Sequence, residues 1–247
     1  MSISIVVHKN KKELAFRVAN EFLQKAVDAA NHQRNFYVSL SGGSTPKALF
    51  KQLADAPFAG AIPWANVHLF WGDERCVPPD HPESNFGMTK AMLLDHIDIP
   101  AQNVHRIHGE MPPALEAKRY AAHLGNVLPV NAHRKPVFDW IFLGMGNDGH
   151  TASLFPGTDF WRIRNKICMV AEHPLTGQKR ISLTLPVINA AREVTFLVTG
   201  SAKAEILAEI IGKTGRYRKY PAAKVQPLSG KITWQIDADA AAQLSGD

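Results

Sequence analysis

The residues best suited to chemistry lie in one stretch, residues 141–157 (IFLGMGNDGHTASLFPG). An apolar run, Trp140–Leu143, stops at Gly144-Met145-Gly146, and Asn147, Asp148, Gly149 and His150 follow at once. His150 is the one side chain here that titrates near neutral pH without help, so it can move a proton. Asp148, two residues earlier, can orient or polarise the ring. The glycines let a substrate approach the backbone. Thr151-Ala152-Ser153 has the composition of a helix start and Pro156-Gly157 that of a stop. The same letters also suit a turn whose polar groups only satisfy local backbone.

Two further apolar runs end in polar groups. Residues 35–40 (NFYVSL) lead into Ser41-Gly42-Gly43-Ser44-Thr45-Pro46. Gly42 and Gly43 free a curve of backbone N–H groups that can surround an anion, and a helix behind them aims its positive end at the same point. Ser44 and Thr45 add hydroxyls. Pro46 fits the first helical position, with Thr45 as its cap. The spacing is not GxxxxGK(S/T), so no nucleoside triphosphate is implied. Residues 67–71 (VHLFW) lead into Gly72-Asp73-Glu74-Arg75. Asp73 and Glu74 can hold substrate hydroxyls, and Arg75 can steady a developing oxyanion. Lys47 and Lys203 each fall in the first turn of a predicted helix, where a cation opposes the dipole by roughly 0.3–1 kcal/mol. A bound phosphate reverses that sign. Arg180 can add a bidentate phosphate contact. An HExxH motif and paired CxxC are absent and the histidine spacing is irregular, so no metal site is expected.

The elements that must position these groups alternate between strand and helix. Residues 3–7 read as a first strand. Asn10 and Glu13 have capping-box spacing, and Leu14, Val18, Phe22 and Ala26 mark the buried face of a helix. Strands are expected at 35–40, 67–71, 103–107, 138–143, 166–171, 180–185, 194–199 and 232–236. Helices are expected from Pro46 to about Leu53 and at 86–97, 112–128 (Leu115, Tyr120 and Leu124 inward) and 201–211. Asp237 or Asp239 caps a last short one. Such alternation implies right-handed crossovers and a mostly parallel, doubly wound α/β sheet with helices on both faces. Strand ends in such a sheet meet at one rim, where ligands sit. No repeat, low-complexity segment or interdomain linker interrupts residues 1–247, so one domain is expected.

Composition narrows the classes. The chain has 247 residues, 45% apolar and 20% charged, which is ordinary globular composition. No apolar run approaches the roughly 20 residues of a membrane span. The amino-terminal apolar run is too short for a signal-peptide core, and the two cysteines, Cys76 and Cys168, form no disulfide framework. A cytoplasmic protein with free thiols and no membrane partner is expected. The net charge of +6 admits a nucleic acid or an anionic small molecule. The one dense basic cluster, residues 213–219 (KTGRYRK), has Tyr217 and Tyr220 nearby to stack bases, but no DNA or RNA motif accompanies it. A nucleic-acid partner is therefore not expected. Oligomeric state has no signature here.

Taken together, SGGSTP at 41–46, WGDER at 71–75 with Val77-Pro78, ESN at 83–85 and GMGNDGHTASLFP at 144–156 resemble the 6-phosphogluconolactonase family. The match continues in KRISLT at 179–184, GSAK at 200–203 and ITWQID at 232–237, and covers nearly the whole chain. The resemblance implies a Rossmann-like fold shared with the glucosamine-6-phosphate deaminases. It implies hydrolysis of 6-phospho-D-glucono-1,5-lactone and no obligatory cofactor. It puts the proton-transfer histidine at His150, with Asp148 beside it. It puts phosphate contacts at Gly42, Gly43, Ser44, Arg180 and Lys203, and a substrate-facing arginine at Arg75. A phosphosugar deaminase or isomerase is the competing reading. The corresponding deaminase motif resembles DGHIAFNEP, with a glutamate where this chain has Phe155.

Overall fold

The computed structural model describes residues 2–227 and 230–244. Ten strands occur among them in two sheets: β1 (Ser2–His8), β2 (Phe36–Leu40), β3 (Val67–Trp71), β4 (Asp73–Arg75), β5 (Val104–His105), β6 (Trp140–Leu143), β7 (Cys168–Glu172), β8 (Lys179–Leu183), β9 (Glu193–Val198) and β10 (Lys231–Asp237). The larger sheet runs β1-β10-β9-β6-β2-β3-β5, with every neighbouring pair parallel. From its centre the chain builds outward twice, through β2, β3 and β5 to one side and through β6, β9 and β10 to the other. The order reverses between β2 and β6, and in open α/β sheets the crevice outside such a switch point is where ligands bind.

The helix Lys11–Asn31 shows how sequence fixes packing. Asn10 accepts the Glu13 N–H at 3.0 Å, and the Glu13 carboxylate returns to the Lys9 N–H at 2.8 Å. Leu14, Val18, Phe22 and Ala26 are fully buried at one-turn intervals. Phe22 meets Phe36 on β2 and Trp140 on β6, and burial of one such side chain contributes about 1.5–3 kcal/mol.

Several elements differ from the sequence reading. Residues 73–75, read as a polar strand end, are themselves a strand. Only Gly72 separates β3 from β4, which starts a small antiparallel sheet, β4-β8-β7. Residues 151–153 form a tight turn closed by a Thr151–Leu154 bridge, not a helix start. In the helix Pro113–Val127 the inward stripe is Glu116, Tyr120 and Leu124, four residues apart, while Leu115 is 58% exposed. It lies about 100° round the helix from Glu116. Glu116 is tolerated inside because Arg119 and the His108 N–H satisfy its carboxylate. The helix expected at 86–97 is Asn85–Met92 followed by a separate 3-10 turn, Leu94–His96. The one expected from 201 is a 3-10 turn, Ser201–Lys203, leading into the helix Ala204–Gly212.

Candidate active site

A cavity of about 220 Å³ opens at the switch point. Eight of the nine site residues expected from sequence line it: Gly42, Gly43, Ser44, Asp73, Arg75, His150, Arg180 and Lys203. Asp148 is not on the wall and stands behind His150.

The turn after β6 carries the imidazole. Gly146 N–H donates to the His150 carbonyl at 2.9 Å and Gly149 N–H to the Gly146 carbonyl at 3.1 Å. The Thr151 hydroxyl ties the turn to the Gly144 carbonyl at 2.8 Å. The Asp148 carboxylate accepts the His150 amide at 3.0 Å and meets Nδ1 of its ring at 2.6 Å. That bond assigns the proton to Nδ1 and leaves the Nε2 lone pair free to accept one. Burial pushes the Asp148 carboxyl up, but the hydrogen bonds and charge of His150 outweigh it and hold the group at about 2. Gly146 makes the pairing possible: a Cβ there would sit 2.1 Å from His150 Nδ1 and 2.6 Å from Asp148 Oδ1. Phe155, fully buried, packs 5.0 Å from the His150 ring, with the Arg180 guanidinium 5.5 Å from its own ring centre.

The same cavity is also lined by cations and by a helix start. The helix Ser44–Ala54 starts on the wall with no side-chain cap. Its cap is Gly43, not Thr45, because the chain enters the helix at φ 106°, a left-handed conformation that glycine adopts readily. Thr45 becomes the second helical residue, and its hydroxyl instead joins that of Thr199 after β9, at 2.8 Å. An uncapped helix start leaves backbone N–H groups and the positive dipole end available to an anion. Gly42 is needed for close approach, since a Cβ there would sit 1.9 Å from Asn85 Oδ1. Asn85 lines the cavity and donates to the Asp73 carbonyl at 3.0 Å. No role for it came from sequence, although it stands in the ESN motif and opens the helix Asn85–Met92.

Arg75 and Arg180 lie directly opposite each other in the β4–β8 register. Arg75 donates to the Glu83 carbonyl at 2.5 Å. Neither guanidinium forms an ion pair among the described residues, and the Nε of each is buried without a partner. Burial and the charge of Arg75 lower the pKa of Arg180. Burial also lowers that of Lys203, with Asp148 opposing it. Lys47, by contrast, is exposed and off the wall.

The remaining acidic candidates divide. Glu74 is saturated: it accepts the amides of Arg75, Asn85 and Phe86 at 2.7, 2.8 and 2.7 Å and the Ser84 hydroxyl at 3.1 Å. It organises the start of the helix Asn85–Met92 and has no acceptor capacity to spare for a ligand. Asp73 is buried on the cavity wall, with one carboxylate oxygen taken by the Ser153 hydroxyl at 2.7 Å. Tyr220 is 6% exposed, so it does not offer its ring to a nucleobase. Among the described residues no group of three or more His, Cys, Asp or Glu has metal-holding geometry, and no helix is long and apolar enough to cross a membrane.

A parallel doubly wound sheet, with an uncapped helix start, cations and an aspartate-bonded histidine around one small crevice at its switch point, defines an α/β protein of Rossmann-like architecture. Residues 9–234 match the family described as glucosamine-6-phosphate isomerases/6-phosphogluconolactonase, and the chain belongs to that family. Within it, the 6-phosphogluconolactonase of Aggregatibacter actinomycetemcomitans is 48% identical over 228 residues, covering 92% of this chain and 94% of the relative. A crystal structure of a devB protein superposes with TM-score 0.92 at 45% identity, covering 98% of this chain and 100% of that one. The 6-phosphogluconolactonase of Trypanosoma brucei superposes with TM-score 0.87 at 28% identity, covering 99% of each chain.

Proposed function

We propose that this chain hydrolyses 6-phospho-D-glucono-1,5-lactone to 6-phospho-D-gluconate, the second step of the oxidative pentose phosphate pathway. The start of the helix Ser44–Ala54, Arg180 and Lys203 hold the 6-phosphate. Asp73 accepts from a substrate hydroxyl. The lactone carbonyl carbon then lies near His150. His150 Nε2 takes a proton from water as the water oxygen adds to that carbon. Arg75, or backbone N–H groups of the turn, steadies the tetrahedral oxyanion. The carbon–ring-oxygen bond breaks, and His150 gives its proton to the departing oxygen. Asp148 orients the ring and stabilises its charged form. No step needs a group from outside the chain.

The observation that carries this reading is one small cavity lined both by a carboxylate-oriented imidazole and by cations beside an uncapped helix start. Phe155 favours the lactonase over the deaminase. It fills with a phenyl ring the place where the deaminase motif has a glutamate, and a lactone needs one proton-transfer group where amine loss with ring opening needs more.

His150→Ala is expected to lower kcat by about 10²–10⁴-fold, the usual worth of a general base, with KM little changed. The assay is hydrolysis of freshly generated lactone, corrected for its spontaneous decay, and a near-wild-type rate would remove His150 from the mechanism. Arg180→Ala and Lys203→Ala are expected mainly to raise KM and to weaken inhibition by inorganic phosphate. Equal phosphate inhibition of wild type and both variants would sink the phosphate assignment.

A further inference from the structure

The turn that carries His150 is half open to solvent: Asn147 and Asp148 are exposed, while Gly149 is buried. What buries Gly149 is the ring of Tyr220. A Cβ at Gly149, where φ is +77°, would sit 2.5 Å from Tyr220 Cδ1 and 2.7 Å from Cγ. The neighbouring Ala222 N–H donates to the Gly149 carbonyl at 3.0 Å. Tyr220 is itself anchored, its hydroxyl donating to Glu209 Oε2 at 2.5 Å. The same carboxylate oxygen accepts the Arg216 amide at 3.1 Å. Glu209 belongs to the helix Ala204–Gly212, whose cap residue is Lys203. One helix therefore runs from Lys203 on the cavity wall to Glu209, the anchor of the group that packs on the His150 turn.

We propose that Tyr220 is a positioning residue for His150, with Glu209 as its anchor. The basic segment 213–219 is the connection that carries Tyr220 back from the helix to the turn, and its charges are incidental to that task. Burial and the Glu209 carboxylate raise the pKa of the Tyr220 hydroxyl, so it stays a donor across the working range. The inference rests on His150 being the proton-transfer group, and it adds the means by which that group is fixed.

The test is a double-mutant cycle on kcat and KM with wild type, Tyr220→Ala, His150→Ala and the combined variant, well below each thermal midpoint. In the wild-type background Tyr220→Ala is expected to lower kcat on the order of 10–100-fold, the scale of a displacement near 1 Å. KM is expected to stay within about twofold. In the His150→Ala background the same substitution is expected to cost nothing further, because the group it positions is gone. Tyr220→Phe keeps the ring and is expected to recover most of the rate. An equal loss of kcat in both backgrounds, or a change confined to KM, would overturn the proposal. A His150→Ala variant with wild-type activity would instead overturn the underlying mechanism, so the two failures are distinct. If Tyr220→Ala does not fold, Glu209→Ala takes its place in the cycle. A smaller kcat loss that disappears with His150 is then expected, and no loss overturns the role.

Discussion

Replacing Gly146 with alanine drives a methyl group into the His150–Asp148 pair. Gly146 has no left-handed φ, so its backbone accepts alanine, and the effect falls on the neighbours. The added carbon would lie 2.1 Å from His150 Nδ1 and 2.3 Å from Cε1. Ordinary contact begins at 3.4 Å. The ring must therefore retreat by the difference, about 1.3 Å, more than the ~0.5 Å tolerance of a productive constellation. A misplacement of this size costs about 100-fold, and complete loss of the base sets the ceiling at about 10⁴-fold. Gly146→Ala is thus expected to lower kcat about 100-fold. KM should hold within about a factor of two, because Gly43, Arg180 and Lys203 are untouched. Initial rates on freshly generated lactone, with spontaneous decay subtracted, measure this, and a urea midpoint close to wild type shows the fold intact. A Gly146→Ala enzyme with unchanged kcat would refute the idea that the imidazole must sit against Asp148 to work.

Two further outcomes follow from groups outside the cavity. His68, His105 and His123 form a hydrogen-bonded row, with ring nitrogens 3.0 and 2.8 Å apart. Burial and the charges of His123 and His68 push His105 down to about 4. A histidine whose folded pKa is depressed binds fewer protons folded than unfolded, so stability falls as pH drops from about 6.5 toward 4. Urea midpoints at pH 7, 6 and 5 should decline more steeply for wild type than for His105→Asn, and parallel curves would refute this. Cys76 is half-buried, and burial together with Glu74 and Glu116 pushes its thiol up to about 11. Cys168 is buried and raised further. Iodoacetamide at pH 8 should leave the native chain unlabelled by mass spectrometry while adding two labels in denaturant. One rapid native label would show Cys76 to be a reactive thiolate.

Most of the fold was legible because apolar runs and their stops are local. The strands at 36–40, 67–71 and 193–198, the buried stripe of the first long helix, and the three strand ends that share a rim all followed from short-range pattern. What was not legible depends on partners distant in sequence. Residues 73–75 became a strand only because 180–182 arrive to pair with them. Glu116 is inside because Arg119 and the His108 amide receive it. Thr45 lost its cap to Gly43 because the entry into that helix needs a left-handed residue. Tyr220, read as a base-stacking candidate from its basic neighbours, is buried against Gly149, a contact across about 70 residues of chain that no local pattern announces.

The arginine pair supports the proposal that this cavity takes an anion. Like charges directly opposite in a sheet destabilise it by a few tenths to about 1 kcal/mol, and a buried donor left without an acceptor costs about 1–3 kcal/mol. Arg75 and Arg180 carry both penalties. Glu74, one of the carboxylates whose charge acts on Arg180, is committed to three backbone amides and a serine hydroxyl. Asp73 lies on the same wall but has one oxygen committed to Ser153. The described protein groups thus leave donors of two cavity-lining arginines unfilled, and the helix start on the same lining is also uncapped. In the proposed mechanism a phosphate or a developing oxyanion meets these guanidinium groups and the free helix start in place, which is the preorganisation that electrostatic catalysis requires.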